Sequence, residues 1–214
     1  MIKKIKTIAI SSLLALFGFA NAQAIDSYAV GISGSWGAYE ADGSETVASS
    51  KQKDSGETEI TLGSVFAEVD LGMLVIGVDY IPFEADSESV TNVRADNVST
   101  GTNTASVTIS DHVTAYILAP LGDSGVFVKV GYSEMDMETK ENLATGGNYN
   151  DVDMEGYHLG FGIEKDMDSN VFIRAAVNYH DYEELSVTNT NNSDIKVEAD
   201  MDGYSASLSI ARRF

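Results

Sequence analysis

Residues 204–214 read YSASLSIARRF. Tyr204, Ala206, Leu208, Ile210 and Phe214 fall on one face of an extended chain. Ser205, Ser207, Ser209, Ala211 and Arg213 fall on the other. A two-residue period marks a β-strand, whose side chains alternate across the backbone. One face is apolar and the other is small and polar, so the two meet different surroundings. Which surroundings meet which face decides the fold.

The same period recurs along the chain. Tyr28, Val30, Ile32 and Trp36 alternate with Ala29, Gly31, Ser33, Ser35 and Gly37. Val65, Ala67 and Val69 alternate with Phe66, Glu68 and Asp70; Leu74, Ile76, Val78 and Tyr80 alternate with Val75, Gly77 and Asp79. Further alternating runs lie near 112–117, 126–133, 157–164 and 171–180, which with 204–214 makes eight strands. These runs are rich in Val, Ile, Tyr and Phe with Gly inside them, a composition that favours strands over helices. Pro82 and Pro120 fall at run ends, where strands tolerate proline. Short connectors at 70–73, 120–125 and 165–170 alternate with long polar ones near 41–57, 84–106, 138–152 and 185–198. One set of loops therefore belongs at each end of an up-and-down arrangement. Ile60 and Leu62 are out of phase with Val65, Ala67 and Val69. This predicts either a β-bulge near Gly63 and Ser64 or a strand that leaves its apolar surroundings there.

The N-terminus has its own logic. MIKKIK is basic, TIAISSLLALFGFA is apolar, and NAQA offers small residues at cleavage spacing. This is the pattern of a secretory signal, expected over residues 1–22 with cleavage after Ala22 or, alternatively, Ala24. The mature chain, 23–214, is then one domain. The formal charge is -20, and losing Lys3, Lys4 and Lys6 makes the mature chain more negative still. Such a chain has no basic patch for nucleic acid. It has no cysteine, so an exported domain of this size is held by a core or by a membrane. At 43% hydrophobic residues it is too apolar for a wholly disordered chain. No apolar stretch in the mature chain is long enough for a membrane-spanning helix, which leaves a soluble fold or a membrane barrel.

The faces choose between these. In a soluble barrel the apolar residues point inward; in a membrane barrel they point outward to lipid. The apolar face here carries almost no charge. The other holds Glu68, Asp79, Lys129, Glu164 and Arg174 among Gly, Ser and Ala. Charges of both signs suit an interior where they can pair. Small residues suit the cramped inside of an eight-stranded barrel. Phe66, Tyr116, Phe127 and Phe172 also point inward by phase and help to fill it. Trp36, Tyr80, Tyr132, Tyr157, Tyr179 and Tyr204 stand on the long-loop side of the apolar runs, with Tyr28 and Phe214 at the other end. Two aromatic girdles of this kind mark the interfaces of a membrane barrel. The expected fold is all-β: an eight-stranded, antiparallel, up-and-down transmembrane β-barrel.

The ending now takes on meaning. Tyr204, Ala206, Leu208, Ile210 and the terminal Phe214 resemble the assembly signal of bacterial outer-membrane proteins. By strand pattern the whole mature chain resembles the small outer-membrane β-barrel family of the OmpA-barrel and OmpX type. That resemblance implies a bacterial outer-membrane location. Its implied partners are outer-membrane lipid and the outer-membrane assembly machinery. Many such barrels carry a peptidoglycan-binding domain as well; with no residues after Phe214, none is expected here. Arg212 departs from the pattern, standing where the family has an aromatic or apolar residue. A small barrel pairs its own edges, so a monomer is expected.

Candidates for chemistry are sparse. His112, His158 and His180 face inward by phase, and some barrels of this architecture modify lipid with a His paired to a Ser and an acid. Ser110, Ser133 and Ser205 exist as partners, without diagnostic spacing. The acidic stretches 150–156 and 193–203 lack the pattern of a calcium loop. The expectation is a non-enzymatic barrel with no cofactor and no metal, a membrane-anchored scaffold presenting acidic loops for envelope integrity or surface interaction. The alternatives are a narrow porin-like channel, in which the inward charges act on ions or small solutes, and then a lipid-modifying enzyme.

Overall fold

The computed structural model describes residues 25–47, 49–86, 90–95, 100–143 and 148–214; the predicted signal lies outside them. The strands are β1 (Ser27–Val47), β2 (Ser50–Asp70), β3 (Val75–Ile81), β4 (Ala85–Asp86), β5 (Val90–Ala95), β6 (Thr100–Pro120), β7 (Val126–Leu143), β8 (Val152–Asp166), β9 (Val171–Thr188) and β10 (Ile195–Arg213). β3, β4 and β5 are successive pieces alongside β6, so the ring has eight positions. Each strand is antiparallel to its neighbours. The ring closes where β1 pairs with β10 and β3 pairs with β6. This is the eight-stranded up-and-down barrel that the alternation predicts.

The short connectors are tight turns. The Leu71 amide donates to the Leu74 carbonyl, Leu121 to Val126 and Met167 to Val171. Gly72 and Gly125 hold positive φ there, of 81° and 76°, where a side chain is strained. The long connectors differ from expectation. Residues 41–47 and 50–57 are not loop but strand, paired in unbroken register from Ser27↔Asp70 to Val47↔Ser50. The sheet therefore continues well past the apolar runs, exposed on both faces along β2 and partly buried along β1. Between β9 and β10 the connection shrinks to residues 189–194.

The unbroken register also removes the expected bulge at Gly63 and Ser64. Ile60 and Leu62 keep the phase of Ser64, Phe66 and Glu68 and turn toward the interior. The irregularities lie elsewhere. β6 carries one between Ser110 and Val113, with Asp111 at φ 52°, and β9 slips against β10 opposite Ala199 and Met201. The β6 bulge faces Pro82, which has no amide to donate. Together they interrupt the β3–β6 ladder after Ile81↔His112, before it resumes at Ala85↔Ile109. On its other side β3 pairs with β2 only from Asp70↔Val75 to Val65↔Tyr80. Among the described residues, β2 above Val65 has no partner on that side.

The faces are those of a membrane barrel. Val30, Ile32, Leu159, Phe161, Ile163, Val177 and Ile210 are all exposed, and Leu208 is 65% exposed. Phe127 and Phe172 are 1% exposed and lie inside. Large inward side chains fit because glycines on neighbouring strands make room. Tyr116 lies against Gly77, and Phe127 against Gly162, at positions where a Cβ would collide with the ring.

The barrel interior as candidate functional site

From the short-turn end upward, the interior is built in layers. Phe66, Phe172, Ala29 and Ala211 pack together, and Leu118, Phe127 and Ala176 form a second cluster at similar depth. Among these rings sits Arg174, its guanidinium carbon 5.1 Å from the Phe172 centroid, 5.4 Å from Phe127 and 5.6 Å from Phe66. Strand pairing sets Arg174 directly beside Glu164. Its Nε donates to Glu164 Oε2 at 3.0 Å and its Nη2 to the same oxygen at 2.6 Å. Across the lumen, Nη1 and Nη2 donate to the two oxygens of Glu68 at 2.5 and 3.0 Å. Glu68 is 3% exposed and Arg174 7%. The Tyr116 hydroxyl donates to Glu68 Oε1 at 2.6 Å. Arg213 reaches back from the end of β10 to Glu164 and Asp166. Each buried charge therefore has partners, as burial in a low dielectric requires.

Of the five inward charges named from the sequence, the structure brings together Glu68, Glu164 and Arg174. Asp79 stands apart and accepts a hydrogen bond from Ser64 Oγ at 2.8 Å. Lys129 places its ammonium 3.9 Å over the Tyr116 ring, a cation–π contact. Sequence reading took Tyr116 for filler and assigned no role to Arg213. The phase of both residues points inward, but their partners are fixed by the stagger of strands that are not adjacent.

Above this lies a polar layer. Thr114 and Ser133 share a hydrogen bond of 2.8 Å, and Asn178 Nδ2 donates to Ser205 Oγ at 3.2 Å. The three histidines gather here. The His158 and His180 rings are 5.6 Å apart, and His180 stacks on Tyr182. His180 Nε2 is 2.8 Å from Ser205 Oγ. The third group of that set is the Asn178 amide, which donates to the serine and does not orient the imidazole. A hydrolytic set instead has an acid that holds the histidine. Ser133 pairs with Thr114 rather than with a histidine. Higher still, Met135, Met154 and Tyr182 form an apolar layer with Tyr39, Ile109, Met137, Leu185 and Met201 against it. This layer escaped sequence reading, because Met135, Met137, Met154, Tyr182 and Met201 fall between the alternating runs and the long connectors, where neither pattern was read.

The aromatic residues named from the sequence face outward at both ends of the apolar band. Tyr132 and Tyr157 pack at 5.2 Å, and Tyr179 and Tyr204 at 5.1 Å. The Tyr hydroxyls find carboxylates on the long-connector side: Tyr132 donates to Glu155, Tyr179 to Asp202 at 3.1 Å, and Tyr80 to Asp111 at 3.3 Å. A ring in an apolar medium with its hydroxyl in a polar one is the arrangement tyrosine favours at an interface. Trp36 is exposed at the same end. At the opposite end Tyr28 and Phe214 exchange backbone hydrogen bonds and expose their rings. Ala206, Leu208 and Ile210 lie between, facing outward on β10. Arg212 also faces outward, with its guanidinium 5.4 Å from the Phe214 ring.

Comparison with known proteins agrees with this architecture. Residues 10–214 match the outer membrane protein beta-barrel domain family. The outer membrane protease OmpT of Escherichia coli is similar in fold, with a TM-score of 0.52 over 88% of this chain and 97% of that one, at 8% identity. The neisserial surface protein NspA matches at 14% identity over 85% of this chain and 97% of that one, with a TM-score of 0.38. Ail of Yersinia pestis matches at 14% identity over 83% and 98%, with a TM-score of 0.35. No curated protein shows significant sequence similarity to the chain. The chain belongs to the outer membrane protein β-barrel domain family. Its place is the bacterial outer membrane.

Proposed function

We propose that the protein is a closed, non-enzymatic outer-membrane scaffold. It anchors through its apolar band, contributes to envelope integrity and holds acidic strand hairpins outside the membrane for surface interaction. The observation that carries this reading is the plug at the short-turn end. Arg174 binds Glu68 and Glu164 at once, between three phenylalanine rings. A conducting lumen needs a continuous water path, and an eight-stranded barrel has room for little beyond its own side chains. The signal at 1–22 directs export. The face of Tyr204, Ala206, Leu208, Ile210 and Phe214 engages the assembly machinery and then outer-membrane lipid. The protein works as a monomer, supported by ladders that close the ring through β1–β10 and β3–β6.

The test is conductance of the folded mature chain in planar lipid bilayers. The scaffold reading predicts a silent bilayer for the wild type. Steady, salt-dependent openings that change with Arg174→Ala would overturn it in favour of a channel.

A further inference from the structure

A second feature lies outside the plug. Above Val65↔Tyr80 the wall between β2 and the β3–β5 pieces is unpaired among the described residues, while β2 continues upward along β1. Behind this opening lies an apolar pocket whose walls include Ile60, Leu62, Phe83, Ile109, Met135 and Met201. Ile60 and Leu62 are the residues whose inward phase breaks the polar character of the β2 interior face. They line the edge of the opening itself. Phe83 leans across it, its ring 3.7 Å from where a Cβ on Gly63 would stand, and is 65% exposed. Unbranched methionines let such a pocket adapt to a flexible guest.

The position of the opening defines what reaches it. An unpaired strand edge cannot stand in hydrocarbon, where backbone groups have no other partner. The opening therefore begins at the membrane interface, at the level of the Tyr80 girdle, where head groups meet acyl chains. His112 stands in the pocket wall beside Tyr39 and Tyr182, and its Nε2 is buried without a hydrogen-bond partner. An apolar cleft with a single unsatisfied polar atom suits a molecule with an apolar body and one hydrogen-bonding head.

We propose that this pocket binds the hydrocarbon chain of an amphiphile, admitted sideways through the β2–β3 opening, with His112 meeting its polar head. The chain goes no further, because the polar layer and the Arg174 plug lie beneath. The site is independent of the scaffold reading and survives a change in the conductance result.

The test uses the folded protein in phosphatidylcholine nanodiscs with ¹³C-labelled methionine methyls. Dodecanoate is titrated in one arm. In the other, the host lipid carries a nitroxide on its acyl chain. Saturable dodecanoate shifts at Met135 and Met201, with Met73 and Met167 at the short-turn end unmoved, would support the site and assign it to a free amphiphile. Broadening of Met135 and Met201 beyond that of the outward-exposed Met73, without a dodecanoate response, would assign it to a chain of the bilayer. Silence of both methyls in both arms, in a barrel that keeps its folded gel mobility, would overturn the proposal. Ile109→Trp, which fills the pocket, should abolish whichever response is seen. Phe83→Ala, at the lip, should weaken it at least several-fold without affecting the fold.

Discussion

At the scale of single residues, the interior turns on Arg174. Its guanidinium makes four hydrogen bonds to two carboxylates, and removing it takes that partner from Glu68 in a nearly dry space, while Glu164 keeps Arg213. Breaking a buried ion pair from one side costs about 3–5 kcal/mol. Arg174→Met is therefore expected to lower barrel stability by about that amount in urea unfolding from lipid vesicles, and Glu68→Gln with Glu164→Gln should restore much of it. An unchanged midpoint for the single variant would remove Arg174 from the account. The outer face gives a second prediction that depends on depth. Leu208 sits midway between the Phe214 and Tyr204 ends, whereas Ile173 lies near the short turns beside Lys165. An arginine at mid-depth costs about 2–4 kcal/mol and near an interface about 0–1 kcal/mol. Leu208→Arg should thus be the costlier of the two by the same unfolding assay. Alternation alone was enough to put Glu68, Glu164 and Arg174 inside. It could not separate them from Asp79 and Lys129, because meeting across a lumen depends on strand stagger rather than on phase.

At the scale of elements, the long hairpins depart most from a reading by composition. Glu57, Glu59, Lys51 and Lys53 look like loop because both faces are polar. A strand that rises into water has no apolar face to show, so its period of two disappears while its ladder persists. Ile60 and Leu62 seemed to need a bulge because the outward apolar band was taken as the reference, when they belong to an inward apolar layer. The raised hairpins are tied by charge. Glu198 on β10 accepts from Lys51 on β2 at 2.8 Å and from Lys196 at 2.5 Å. These hydrogen bonds lower its pKa from 4.5 to about 2. A depressed carboxylate stabilises the folded form fully above its unfolded pKa and loses that contribution as pH falls through the folded one. The link between β2 and β10 should hold down to about pH 4.5 and loosen as pH approaches about 2. A carboxyl-carbon NMR titration of Glu198 checks this, and Lys51→Met should move its midpoint upward. A midpoint near 4.5 in the wild type would mean the ion pair does not form.

At the scale of the whole molecule, the fold inverts the usual solvent logic of a protein. Apolar side chains face outward as a band, the interior holds paired charges, hydroxyls and packed rings, and the strands at the long-connector end continue beyond that band. The glycines are part of that inversion. Gly77 and Gly162 are where Tyr116 and Phe127 lie down across neighbouring strands, so a larger residue there strains the filling of the barrel. Gly77→Leu is expected to cost about 1–3 kcal/mol through overpacking, read by the same urea midpoint. The strand number, the two faces and the membrane setting were legible in alternation and in the placement of tyrosines. The layering of the interior and the opening beside β2 were not, since both arise from closure of the ring. The chain has no cysteine, so single-cysteine spin labels can be placed at will. The most direct measurement is a nitroxide scan along 204–213 in lipid vesicles, reading oxygen accessibility at each site. The account predicts maxima at 204, 206, 208 and 210 and minima at 205, 207 and 209. The opposite phase, or no period at all, would contradict it.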